Sequence, residues 1–195
     1  KMDRGIVNLQ PGVNATVDAE ALKYLMVEML EEAGVRVFLH SWCADAVVEG
    51  ASVKGAVFES KSGRQAILAK MVVDATGDGD VFDRAGAEYE FMRYHIGLVH
   101  RLGNLDKVDP AMMPAGKKPK GLGSVTPIAG VNWVNMRGPD SNALDVRELT
   151  RLELAHRRQI WKQTEELRQR PGFEKVYVVE TAPQLGVRMS RLLKG

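Results

Sequence analysis

The chain has 195 residues, of which 45% are hydrophobic and 27% charged, with 19 glycines and 8 prolines. These fractions exclude a disordered or collagen-like chain and leave enough apolar material for one domain or two small ones. The formal charge of +2 is too balanced to point to nucleic acid, and no apolar run reaches the roughly 20 residues of a membrane span.

Residues 1–17 read as a loop punctuated by Gly5, Pro11-Gly12 and Asn14, with no apolar signal-peptide core. Asp18 is placed to cap a helix whose apolar residues, Leu22, Leu25, Met26, Met29, Leu30 and Ala33, recur at helical spacing. That Met-rich stripe reads as core packing, and Gly34 stops the helix. Val35–Leu39 then reads as a strand. Asp45–Glu49, Val53–Ser60 and Gln65–Lys70, separated by Gly-containing turns, read as an antiparallel meander. Met71–Ala75 is more continuously apolar, as a parallel strand buried on both faces would be. A parallel pairing of 35–39 with 71–75 in one sheet is therefore expected.

A Gly-rich turn and a short helix follow, ending at Gly86. Residues 89–145 hold most of the prolines and read as strands and long loops, with short apolar pieces at Ile96–Val99 and Val131–Val134. The cluster Lys117-Lys118-Pro119-Lys120 reads as a solvated loop. A long helix is expected from Val146 to Arg170, with Leu149, Leu152, Ile160 and Leu167 on one face and His156 between them. Pro171-Gly172 ends it, Val176–Glu180 forms a strand, and a loop runs on through Pro183, Gly186 and Arg188.

The strongest chemical signal is Asp74-Ala75-Thr76-Gly77-Asp78-Gly79-Asp80 at the end of a buried strand. Glycines there let a ligand approach the main chain, and the following helix would point its positive end at the same crevice. This is the geometry of a nucleotide site; the alternative is a tight strand-to-helix turn that needs glycines for its own sake. Asp74, Asp78 and Asp80 also raise a calcium loop, but the carboxylate that would complete it is missing, so no metal site is assigned. Cys43 is the single cysteine, which excludes an internal disulfide framework and fits a reducing, cytoplasmic setting. None of His40, His95, His100 and His156 pairs at a metal-ligand spacing; His95 and His100 are acid–base candidates against a plain structural role. No nucleophile elbow or P-loop is present.

The run Asp74–Asp80 followed by Ala85-Gly86-Ala87 resembles the FAD-dependent oxidoreductase family, one of the glutathione-reductase-like flavoproteins with two dinucleotide folds. The likeness continues through Val17–Lys23, Glu32–Val35, Arg101–Asp106, Leu149-Thr150 with Glu153, Arg170–Phe173 and Glu180–Arg188. It implies an α/β fold: a partial FAD-binding, Rossmann-like domain with an antiparallel meander, plus a mixed α+β substrate-side domain. Residues 1–88 would form mainly the first, 89–178 the second, and 179–195 would return toward the flavin. The Gly-x-Gly-x-x-Gly unit of such proteins is not found, so the resemblance implies an internal piece lacking its N-terminal dinucleotide unit and C-terminal segment.

The same resemblance implies site residues. The Cys43 backbone would lie beside the adenine, and Ala75, Thr76, Gly77 and Asp78 would approach the ribose and pyrophosphate of FAD. Gly186 and Val187 would lie near the flavin, with Arg188 as the catalytic or substrate-binding side chain. Met189 stands where the family pattern Gly-Val-Arg-Glu-Ser-Arg has Glu, which leaves Arg191 without an evident anchor. The implied function is hydride or two-electron transfer between FAD and a small-molecule substrate; the alternative is a non-catalytic module needing a partner chain. No nucleic acid or membrane span is implied. Weak or absent FAD binding by this chain alone is expected, together with self-association or a requirement for the missing segment.

Overall fold

The structure is a computed structural model that describes residues 18–112 and 121–194. The N-terminal loop and the Lys117–Lys120 cluster lie outside the described residues. The elements in chain order begin with α1 (Ala19–Glu32), β1 (Trp42–Glu49), β2 (Ser52–Ser60), β3 (Gly63–Leu68) and α2 (Asp80–Arg84). Next come β4 (Tyr89–Phe91), β5 (Tyr94–His95), β6 (Leu98–Gly103), β7 (Ser124–Val125), β8 (Asn132–Met136) and β9 (Asp140–Ser141). The long helix α3 (Val146–Arg168) and the strands β10 (Tyr177–Thr181) and β11 (Arg191–Leu193) complete the series. This is the mixed α/β class expected from the sequence.

Helix α1 starts where expected. The Asp18 carboxylate accepts the N–H groups of Glu20 and Ala21 at 3.1 and 3.2 Å, and Gly34 takes the left-handed conformation (φ +64°) after the last turn. Its apolar stripe is a correction, because no residue of α1 is buried and Met29 is 59% exposed. Here the stripe is an open apolar face. The meander is as expected: β1, β2 and β3 pair antiparallel in that order. A bulge between Cys43 and Asp45 interrupts the β1 ladder.

The parallel pairing of 35–39 with 71–75 is not formed. Both runs are irregular, and their apolar side chains are exposed, Leu39 at 74% and Val73 at 82%. Hydrophobic character disposes a run to be a strand, but only a neighbouring ladder that takes its N–H and C=O groups makes it one. Neither run has such a neighbour among the described residues.

The chain divides into two compact units. One comprises Lys1–Phe38, His100–Val134 and Gln163–Glu180; the other comprises Leu39–Val99, Asn135–Lys162 and Thr181–Gly195. The first holds the main apolar core, in which Leu102, Val108, Leu122, Val134, Leu167, Phe173 and Val176 pack together. It is backed by a four-stranded sheet of order β10-β6-β8-β7. Side-chain amides close its loops: Asn104 Nδ2 donates to the Lys175 carbonyl and Asn132 Nδ2 to the Leu122 carbonyl, both at 2.8 Å.

The second unit contains the meander, α2 and two small sheets, β11-β4 and β5-β9. The N-terminal part of α3 belongs to it, capped by the Asp145 carboxylate on the N–H groups of Arg147 and Glu148. Leu152, His156 and Ile160, at i, i+4, i+8, form its buried stripe. Two glycines allow close backbone approach. A Cβ at Gly97 would strike the Met136 carbonyl, and one at Gly138 would strike the Ile96 carbonyl and stand 2.7 Å from His156 Nε2. The segment 94–97 is thereby held tightly against 136–140, with His156 Nε2 3.1 Å from the Ile96 carbonyl oxygen.

Candidate cofactor and substrate site

His100 falls in the first unit; the residues that the resemblance assigns to cofactor and substrate, and His95, fall within the second. Their surroundings begin with the turn 74–80. The Asp74 carboxylate accepts the Thr76 hydroxyl at 2.7 Å and N–H at 3.1 Å, and its other oxygen accepts the N–H of Phe82 at 3.0 Å. The Thr76 hydroxyl in turn accepts the Asp80 N–H at 2.8 Å. Burial raises the Asp74 carboxyl, but these donors outweigh it and hold the group below the ordinary carboxylate range.

This arrangement corrects one expectation. The first N–H groups of α2 are not presented to an outside anion, because Asp74 and Thr76 already accept them. The helix is five residues long, and the protein supplies its own negative group at the N-terminus. What the turn leaves open is Gly77. It has φ +91°, and a Cβ built there meets nothing within 4 Å. Ala75, Thr76 and Gly77 are exposed. Gly79 is different, since a Cβ there would strike the Phe82 ring, so that glycine is required by packing.

Asp78 turns away from the opening. Its carboxylate accepts the N–H groups of Ser190 at 2.5 Å and Arg191 at 3.1 Å, while its carbonyl accepts Arg191 Nη1 at 3.1 Å. Arg191 also pairs with Asp80 at 2.9 Å and Asp83 at 3.0 Å, and lies over the Tyr89 ring at 5.6 Å. Its side chain is only 11% exposed. Burial opposes its charge, but Tyr89, Asp80 and Asp83 more than compensate and raise the guanidinium further. The anchor that Met189 seemed to remove is thus supplied by aspartates more than a hundred residues earlier in the chain.

Ser190 is fully buried and completes the junction. Its hydroxyl accepts the Ala143 N–H at 3.0 Å and its carbonyl accepts the Met92 N–H at 2.8 Å. Asp74 holds Thr76 and Phe82 while Asp78 and Asp80 both hold Arg191, and the turn is a structural latch carrying an open glycine. The sequence reading missed this latch. The available signal was the complementary charge of Asp78, Asp80 and Asp83 against Arg191 at the end of the Gly-Val-Arg-Glu-Ser-Arg pattern.

Cys43 is half-buried at the bulge of β1. Burial first, then the negative fields of Asp80 and Asp74, push its thiol up, which places it near the latch and keeps it protonated at neutral pH. A reactive thiolate is disfavoured there.

A second clamp positions the segment leading to Gly186. Arg157 on α3 pairs with Glu153 at 2.6 Å and donates to the Thr181 hydroxyl at 2.5 Å and to the carbonyls of Ala182 and Pro183 at 3.3 and 3.2 Å. The chain then bridges antiparallel to Gly97, with the Gly186 N–H donating to the Gly97 carbonyl at 2.8 Å. Val187 and Arg188 follow, both exposed. Of the histidines, His95 lies beside the Tyr94 ring, with centroids 4.6 Å apart. His100 is buried in the first unit, and His156 is held by the Ile96 carbonyl. No described helix is long and apolar enough to cross a membrane.

The comparisons with known proteins bear on this geometry. The family model described as FAD dependent oxidoreductase matches residues 2–120 and 103–195. No curated protein matches. Among solved structures, a geranylgeranyl bacteriochlorophyll reductase-like protein from Thermoplasma acidophilum superposes with a TM-score of 0.51 at 20% identity, over 89% of this chain and 43% of that one. Glycine oxidase from Geobacillus kaustophilus matches at a TM-score of 0.43 and 16% identity, over 92% of this chain and 44% of that one. The first likeness supports the partial Rossmann-like α/β fold read from the sequence. The chain spans less than half the length of either structure.

Two outcomes test the latch. Arg191→Gln leaves Asp80 and Asp83 unpaired and should lower the unfolding free energy by about 2–3 kcal/mol in urea titration. Asp74→Asn should cost about 1 kcal/mol at neutral pH. Because the folded Asp74 carboxyl lies below its unfolded value, its contribution is complete above about pH 4 and is lost as pH falls through the folded value. Unfolding curves of the two proteins should therefore converge in acid; a constant gap down to the lowest pH would assign Asp74 a non-ionic role.

Proposed function

Because the chain belongs to the FAD dependent oxidoreductase family, we propose that its second unit contributes part of an FAD site in an enzyme moving a hydride or two electrons between flavin and a small-molecule substrate. The observation that carries this reading is the open approach to Gly77 on a turn held rigid from both ends. Positive φ with open Cβ space also occurs at the turn glycines Gly34, Gly50 and Gly63; at Gly77 it falls inside the Asp74–Asp80 run that the family model covers.

In this reading the residues fit FAD as follows. The Cys43 backbone at the β1 bulge receives the adenine edge, and the main chain of Ala75, Thr76 and Gly77 receives the ribose and pyrophosphate region. Asp78 acts from its backbone, since its carboxylate is committed to Ser190 and Arg191. Gly186 and Val187 border the flavin, and Arg188 is the substrate-side residue. When bound, FAD supplies the two-electron chemistry; the protein binds, orients and excludes water. Residues 1–88 and 179–195 serve the cofactor and 89–178 the substrate.

Gly77→Val in the full-length protein should remove the visible flavin absorbance while the circular dichroism of the folded protein is kept. A Gly77→Ala variant separates cofactor exclusion from backbone strain, which costs about 1–3 kcal/mol at such a φ. Stoichiometric flavin in the valine variant would reduce the turn to a structural role. Calorimetric titration of the 195-residue chain with FAD should give weak or no binding. A tight one-to-one complex would mean that these residues hold the whole site, whereas no flavin even in the full-length protein would favour a non-catalytic module. Light scattering on the same sample reads self-association through the open apolar face of α1.

A further inference from the structure

We propose that His95, Arg137 and Arg188 form a binding site for the carboxylate of a small monoanionic ligand. The assignment rests on reading Arg188 as a substrate-side residue and adds the partners that would give it a ligand class.

Three segments of the second unit meet around His95. On one side β5 pairs with β9, placing His95 opposite Asp140 and Tyr94 opposite Ser141. The Ile96 N–H donates to the Pro139 carbonyl at 3.1 Å, and the tight approaches at Gly97 and Gly138 fix the backbone on either side of Arg137. On the other side Gly186 bridges antiparallel to Gly97. Arg188 lies two residues beyond this bridge, and its charge acts on His95. The Arg157 clamp on Thr181, Ala182 and Pro183 holds the approach to this bridge.

The charges at this junction do not close among themselves. Arg137 and Arg188 are exposed, and neither makes an ion pair with another described residue. Nearby Arg93 is already paired with Glu148 at 2.7 Å. Burial first, then the fields of Arg137 and Arg188, lower the His95 imidazole below its ordinary range, against the opposing pull of Asp140. His95 is therefore neutral at pH 7, with one N–H to donate. Arg137 and Arg188 against the Asp140 carboxylate leave one net positive charge around His95, the complement of a monoanion rather than a dianion. Guanidinium forks match the two coplanar oxygens of a carboxylate.

The test follows the His95 imidazole proton resonances in the 195-residue chain during titration with propionate at constant ionic strength, with chloride as control. A saturable shift is expected, with the His95 pKa rising in the bound state. Arg137→Gln and Arg188→Gln should each weaken the binding about tenfold, the loss of one charge-assisted hydrogen bond. Equal responses to chloride and propionate would overturn the proposal, as would propionate binding indifferent to both substitutions. Phosphate binding tighter than propionate would overturn the monoanion assignment. Since no FAD is present, propionate binding in a protein whose full-length form takes no flavin would uphold this site and sink the flavin reading. Flavin binding without propionate binding would do the reverse.

Discussion

The clasp of Asp78 on the N–H groups of Ser190 and Arg191 is the contact on which the second unit depends. It joins two segments more than a hundred residues apart, the turn before α2 and the loop that leads into β11. Loop segments have no ladder of their own, so their backbone donors must find side-chain acceptors. One carboxylate accepting two adjacent N–H groups does this directly. The guanidinium of Arg191, spread over Asp80, Asp83 and the Tyr89 face, then locks the same junction through the following side chain. β11 begins at that arginine and pairs with β4, so the small sheet is registered by the latch.

The same economy of charge explains the turn. A helix N-terminus beside a Gly-rich loop ordinarily invites an anion, but in this chain Asp74 is that anion. Filling the position internally rigidifies the loop and removes the helix end as a ligand donor. What the turn still leaves open is the main chain at Gly77, where the absence of a side chain leaves room. Arg157 plays the corresponding part for the segment 181–183, satisfying a hydroxyl and two carbonyls from a single side chain braced by Glu153.

Local elements were legible in advance where local chemistry is sufficient. Asp18, the meander turns, Gly34 and Gly86, and the long amphipathic helix are all specified by residues within a few positions of one another. The family was legible because its motifs occur in a shared order along the chain. The pairing of 35–39 with 71–75 was not, since a strand is a relation between two segments and neither run carries information about its neighbour. The stripe on α1 misled for the same reason: spacing shows which face is apolar, not what covers it.

Sequence by itself determined the α/β class, the caps, the meander and the flavoprotein family, because propensity, periodicity and motif order are properties of contiguous residues. Only the tertiary structure decided the uses of the charged side chains. Asp74 and Asp78 look alike in a Gly-Asp run, yet one stabilises a helix end and the other a distant loop. Arg188 and Arg191 stand three residues apart, yet one is exposed and the other is enclosed by two aspartates and a tyrosine ring. A charge acquires its role from the partner brought within a few ångströms of it, and that distance is set by the fold.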